Sequence, residues 1–266
     1  PIIGTTINLL DIQEKSIASQ INLLVKNETG YKNLLYLSSI SHTKQDDIVG
    51  IKLENLKEYS QGLICYIGGK YNPLLFLDNQ KKISEEKKII ENLLDIFSTD
   101  LYFELQRIND AQLDQYENKF ISISDKFSIP LIASNNVKYE NNDDYNAHDA
   151  LLCIVQKSTI NQTNRIFSNP EIYFKSTEQM KTLFHDIPEV IKNNFKVALK
   201  CQFYPKELTP KLPKFFNKEN LTENELLIKN AKEGLKERFQ NLNLNNDDYS
   251  QRLDYELDII NKMGFA

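Results

Sequence analysis

The chain is poor in the residues that most directly carry chemistry. Its 266 residues include only three histidines and three cysteines, so a histidine-rich metal site is excluded by counting. Cys65, Cys153 and Cys201 are far apart and form no C-x-x-C pair, which fits neither a disulfide framework nor a zinc ribbon. Each sits among apolar neighbours and reads as a buried structural thiol of a cytoplasmic protein. Eight glycines and eight prolines are too few for a fibrous or low-complexity chain. No apolar run approaches the ~20 residues of a membrane helix, because Lys, Asn or Asp interrupts every one. Pro1-Ile2-Ile3-Gly4 lacks the basic leader of a secretory signal, and Asp11, Glu14 and Lys15 break the apolar region behind it. An excess of positive charge is missing too: 32 Lys and Arg stand against 37 Asp and Glu, a net charge of −5. Residues 201–266 hold ten basic and eleven acidic groups, so neither they nor residues 1–200 form a basic nucleic-acid module.

What remains is a pattern. With 41% hydrophobic residues the chain can build a sizeable core. Residues 1–200 alternate short apolar runs with helical periodicity. Strands are expected over 1–9, 21–26, 62–67, 101–105 and 129–134, and helices over 28–41, 84–97 and 111–127. Short strands separated by helices favour parallel pairing, with helices covering the sheet. A second regime begins near Cys201. Pro205, Pro210 and Pro213 punctuate a segment that cannot be one helix, and two helices follow. The first opens with the capping box Thr222-x-x-Glu225 and repeats Leu227, Ala231, Leu235 and Phe239. The second carries Tyr249, Leu253, Leu257, Ile260 and Met263 as a stripe. The Asn-rich stretches 135–146 and 241–248 read as loops.

Side chains with catalytic potential are scattered. His42, His148 and His185 share no metal-ligand spacing and read as surface or hydrogen-bonded imidazoles. The doublets Asp46-Asp47, Asp143-Asp144 and Asp247-Asp248 point to different sides of any regular element, which makes them poor acid–base pairs. Asp143 is better placed to favour the dipole of the His148 helix. Gly68-Gly69 ends a strand, where α/β folds bind ligands, but no phosphate loop follows, and a turn is the simpler role.

A series of local signatures goes further. They are Pro1-Ile2-Ile3-Gly4, Asn27-Glu28-Thr29-Gly30-Tyr31-Lys32-Asn33-Leu34, Gly62-Leu63-Ile64, Leu101-Tyr102-Phe103-Glu104-Leu105 and Pro130-Leu131-Ile132-Ala133-Ser134-Asn135. Ala147-His148-Asp149, Phe184-His185-Asp186-Ile187-Pro188-Glu189, Ala231-Lys232-Glu233-Gly234-Leu235 and the long run from Arg252 to Phe265 complete it. In this order the sequence resembles the bacterial C-family replicative polymerases, the DNA polymerase III alpha subunits, over nearly its whole length.

The resemblance implies an α/β fold: a truncated, distorted β/α barrel of the PHP (polymerase and histidinol phosphatase) type over residues 1–200. Its N-terminal strands, with an H-x-H motif, are expected upstream. A mainly helical start of the polymerase palm is expected over 201–266, with the catalytic palm carboxylates downstream. Where metal-bearing relatives place ligands at strand ends, this chain has Thr6, Gly69, Ile108, Asn136 and Lys138. A hydroxyl, an aliphatic chain, an amide and an ammonium are poor substitutes for anionic or imidazole ligands. The expectation is a degenerate PHP domain with no catalytic, cofactor or metal residues of its own, serving structure and subunit docking. Its partners would be the proofreading exonuclease subunit, other replicase subunits and, through a full-length parent, primer-template DNA, with Mg²⁺ in that parent's palm and no membrane association. The enzymatic alternative is a PHP-type metal-dependent phosphoesterase or 3′–5′ exonuclease.

Overall fold

The computed structural model describes residues 1–14, 17–43, 49–210, 215, 221–242 and 247–266. Asp46-Asp47, Pro213 and residues 243–246 of the second Asn-rich stretch lie outside the described residues. Strand β1 (Gly4–Glu14) and strand β2 (Ile17–Val25) are separated by two residues, a connection only an antiparallel hairpin can use. Thr6 accordingly faces Asn22 across the ladder. Helices α1 (Glu28–Thr43) and α2 (Leu53–Tyr59) return the chain to β3 (Leu63–Gly68), which is also antiparallel to β2. Helices α3 (Pro73–Asn79) and α4 (Ile83–Phe97) lead to β4 (Leu101–Gln106), and α5 (Ala111–Phe127) leads to β5 (Leu131–Ser134). These last three strands are parallel.

The sheet order β1-β2-β3-β4-β5 is therefore mixed. The parallel pairing favoured by the sequence applies to β3–β5 and not to β1–β3: the hairpin joins β1 to β2 with no helix between them, and α1 and α2 return the chain to lie antiparallel to β2. The five-stranded sheet with helices between its strands fits a truncated PHP-like barrel.

Alternation along β4 sets the two faces. Leu101, Phe103 and Leu105 enter the larger core with Leu23, Cys65, Ile67, Leu93 and Phe120, and the Phe103 and Phe120 rings stack at 4.6 Å. Tyr102 joins Ile64, Ile132 and Val197 on the opposite face. Glu104, two residues further along, shares that second face. Of the three cysteines, Cys65 and Cys153 are buried, whereas Cys201 is half-buried near the charges of Lys26, Asp100 and Lys200, which corrects the expectation for that thiol. Two glycines interlock at the base of the sheet: a Cβ on Gly30 at the start of α1 would strike the Gly62 carbonyl, while Gly62 turns into β3 at φ +79°.

Beyond β5 come α6 (Tyr145–Gln156), α7 (Thr177–Leu183) and α8 (Glu189–Lys200). Helix α8 covers the β5 edge with amide side chains. Asn194 Nδ2 donates to the Ala133 carbonyl at 2.7 Å while its Oδ1 accepts the Ala133 N–H at 2.9 Å. Asn193 Nδ2 donates to the Leu131 carbonyl at 2.9 Å. The asparagines thus stand in for a neighbouring strand and blunt the edge.

The chain divides into two compact units, Pro1–Pro205 and Lys206–Ala266. The second contains α9 (Glu223–Leu242) and α10 (Asp247–Met263). Its capping box forms as expected, with the Thr222 N–H donating to Glu225 Oε2 at 2.8 Å and the Glu225 N–H donating to Thr222 Oγ1 at 3.3 Å. Of the α10 stripe, Leu257 is buried, whereas Tyr249 and Met263 are more than half exposed. No helix among the described residues is long and apolar enough to cross a membrane.

The edge cover gives a direct stability test. Asn194→Ala leaves the Ala133 N–H and carbonyl without partners and should lower the unfolding free energy by about 1–3 kcal/mol. Urea denaturation followed by circular dichroism reads the difference.

Candidate functional site

The second face of the sheet turns polar toward the carboxyl ends of β3–β5. Strand register puts Gly68 beside Glu104 and Gln106 beside Ser134, and Thr6, Asn22 and Tyr66 lie in one row. Together they border a cavity of about 630 Å³. All five sequence positions singled out at strand ends, Thr6, Gly69, Ile108, Asn136 and Lys138, line this one cavity. Side chains from β1 and from the loops after β3, β4 and β5, 132 residues apart at the extremes (Thr6 to Lys138), are thereby brought to one place.

Each of the five is held for a local reason. Thr6 Oγ1 donates to Asn22 Oδ1 at 2.6 Å. Gly69 has φ +69°, a conformation that disfavours any side chain, although a Cβ there would meet Gln106 no closer than 3.5 Å. Ile108 is buried, and its carbonyl accepts from Asn169 Nδ2 at 2.8 Å. Asn136 adopts φ +45°, which asparagine tolerates. The Lys138 N–H donates to the Ile172 carbonyl at 2.8 Å, fixing the rim while its side chain stays exposed.

The same cavity exposes residues that sequence reasoning missed. Among the described residues Glu104 is the one carboxylate lining it, and it is 7% exposed. Burial raises its carboxyl above the ordinary glutamate range, against the opposing pull of Ser134 and Gln106. Gln106 Nε2 donates to Glu104 Oε2 at 2.9 Å, whereas Ser134 Oγ makes no geometrically complete hydrogen bond. Burial, followed by the charge of Glu104, also raises the Tyr66 phenol. Lys70 is drawn to Asp110 at 2.5 Å. An acid inside the otherwise apolar Leu101–Leu105 run was the one available sequence signal for Glu104.

The rim is pinned from behind. Asn135 Nδ2 donates to the Glu171 and Tyr173 carbonyls at 3.0 and 2.6 Å, and its Oδ1 accepts from Lys175. Arg107, next to Gln106, grips Glu117 and Asp186 and donates to the Leu183 carbonyl, with its guanidinium 4.8 Å from the Phe184 ring centre. Arg107 holds the Asp186 carboxyl down at about 2. The Ala147-His148-Asp149 signature is likewise structural here: Asp149 pairs with Arg165 at 2.7 Å and accepts the Ser168 N–H, while His148 Nδ1 meets Ser168 Oγ at 2.7 Å. None of the three histidines lines the cavity. His42 and His185 bond to the Ser38 and Thr182 carbonyls.

Among the described residues no group of three or more His, Cys, Asp or Glu is arranged to hold a metal ion. One buried carboxylate surrounded by amides, hydroxyls and ammonium groups does not fit a cluster of divalent cations, which needs several anionic or imidazole ligands to offset its charge.

Comparison with known proteins agrees with this architecture. Residues 1–108 match the PHP domain family. The chain as a whole is similar to the DNA polymerase III subunit alpha of several bacteria. It is 35% identical to that of Rickettsia bellii over 282 residues, 38% to that of Rickettsia felis over 286 and 35% to that of Caulobacter vibrioides over 274. Each alignment takes in all of this chain but only 23–24% of the relative, so the chain spans about a quarter of the length of these proteins. Residues 1–108 are thus similar to PHP domains, and the whole chain is similar to one part of the DNA polymerase III alpha subunits.

The raised Glu104 carboxyl fixes a pH dependence. A group that is harder to ionise in the folded state favours folding only while protonated, and that advantage is lost as pH rises through its folded value. Glu104→Gln should therefore match the parent chain below about pH 4 and exceed it in stability near neutrality and above. Urea midpoints measured across that range read the crossover; a constant offset would contradict it.

Proposed function

We propose that this chain supplies the PHP domain of a replicative DNA polymerase III alpha subunit in a cytoplasmic replicase, acting as scaffold and subunit-docking platform, not as a hydrolase. Residues from 201 onward lead toward the palm in this reading. The parent activity is DNA-directed synthesis from deoxynucleoside triphosphates, with Mg²⁺ held by palm carboxylates that are assigned to no residue of this chain. The single observation that carries the proposal is the lining of the strand-end cavity: Thr6, Gly69, Ile108, Asn136 and Lys138 converge there, and among the described residues only Glu104 offers an anion. Whole-chain similarity to alpha subunits from several bacteria supports the polymerase setting. The tight staples at Arg107 and Asp149 support a rigid docking role, since a platform needs fixed surface geometry and no mobile catalytic loop.

Three measurements test it. Elemental analysis should find no stoichiometric Mn or Zn, and a phosphodiester assay in either metal should give no turnover above a blank. Immobilised chain should retain the proofreading exonuclease subunit of the same replicase. Stoichiometric metal with turnover would favour a PHP-type phosphoesterase or exonuclease instead.

A further inference from the structure

Helix α8 has an outer face unlike its inner one. Val190, Asn193 and Val197 are buried against the sheet, leaving Lys192, Phe195, Lys196 and Leu199 exposed on the outer side, with half-buried Lys200 at its edge turned toward Asp100 and the Tyr102 hydroxyl. Phe195 is 67% exposed and Leu199 55%. The lysines recur every four residues, about 6 Å apart along the axis. At the end of the stripe Lys200 converges with Lys26 on one carboxylate, Asp100, beside a cleft of about 570 Å³ that Asn27 and Gln202 complete. Two ammonium groups thus share one negative charge. Further along, Lys192 pairs with Glu189 only as an exposed neighbour three residues away, an interaction that is weak in water. Lys196 Nζ donates to the neutral Asn193 amide oxygen at 3.1 Å and shares the charge of Glu189 with Lys192 at longer range. Four lysines therefore face two carboxylates, a local positive excess in a chain whose net charge is −5.

We propose that this face of α8, together with the Lys26–Asp100–Lys200 cleft, is a binding surface for single-stranded nucleic acid. The lysines would follow the phosphates, and Phe195 would offer its exposed ring to a base, the combination that sequence-tolerant strand binding uses. A membrane-surface helix is a poorer fit, because it needs a broad apolar face and here only Phe195 and Leu199 provide one. The inference rests on the polymerase reading, in which the parent protein acts on nucleic acid. Its test is separate from exonuclease capture, so either can fail alone.

Fluorescence anisotropy with a labelled oligothymidylate of about 20 nucleotides provides the test. Saturable binding is expected at about 50 mM salt. For three phosphate contacts log K should fall against log salt with a slope of about −2. Lys196→Gln should shallow that slope by about 0.7. Phe195→Ala should weaken binding at least about fivefold with little change in slope. Phe195 is exposed, whereas Lys196 donates to Asn193, so melting curves of each variant against the parent separate a lost phosphate contact from a loosened fold. Lys87→Gln on α4, at a 63% exposed lysine, should leave binding as it was. Absence of saturable binding at low salt, or an equal loss with Lys87→Gln, would overturn the proposal. So would tighter binding to phosphatidylserine vesicles than to the oligonucleotide, which would make the face a membrane contact.

Discussion

The mouth of this domain depends on one close approach between two strands. A Cβ at Gly68 would lie 2.6 Å from both the carbonyl oxygen and Oε2 of Glu104. Only a residue without a side chain lets β3 and β4 run parallel there while Glu104 tucks against the sheet. That contact buries the carboxylate, leaves Gln106 as its hydrogen-bond donor and pushes its ionisation upward. An acid in this state is a weak cation ligand at low cost to the fold, and a costly one to charge. The electrostatic character of the whole cavity follows from this packing constraint.

Around that point the strand ends have become a structural joint. Lys138 adds positive charge at the rim, where a metal cluster would require negative charge, while Lys70 there is paired with Asp110. Asn135 and Arg107 spend their polar groups holding backbone carbonyls of the segments behind the rim. Hydrogen bonds to buried carbonyls contribute most when they leave nothing unsatisfied, and these residues are saturated by protein. The signatures shared with polymerase subunits therefore have a packing explanation here: Phe184 and Asp186 seat on Arg107, and Asp149 seats on Arg165.

Much of the secondary structure was legible in advance. The runs at 62–67, 101–105 and 129–134 became strands, and the helices over 84–97 and 111–127 lie within a residue of their expected bounds. The Thr222–Glu225 box formed because it needs only its own turn. The hairpin was misjudged: the apolar run at 1–9 extends to Glu14, and two residues then suffice for reversal. Glu104 was visible as a letter but not as a site, because its meaning lies in what surrounds it. The basic stripe of α8 was hidden for a related reason. Net charge averages over both faces of a helix, and only burial of Val190, Asn193 and Val197 separates them.

Sequence alone therefore determined what local chemistry controls: periodicity, caps and turn glycines. It also singled out Thr6, Gly69, Ile108, Asn136 and Lys138 as strand-end positions. Tertiary structure decided that these five share one cavity, that Glu104 is buried there, and that Asn193 and Asn194 close the sheet edge. Strand register and helix docking join residues more than a hundred positions apart, and no window of sequence contains the free energy of such contacts.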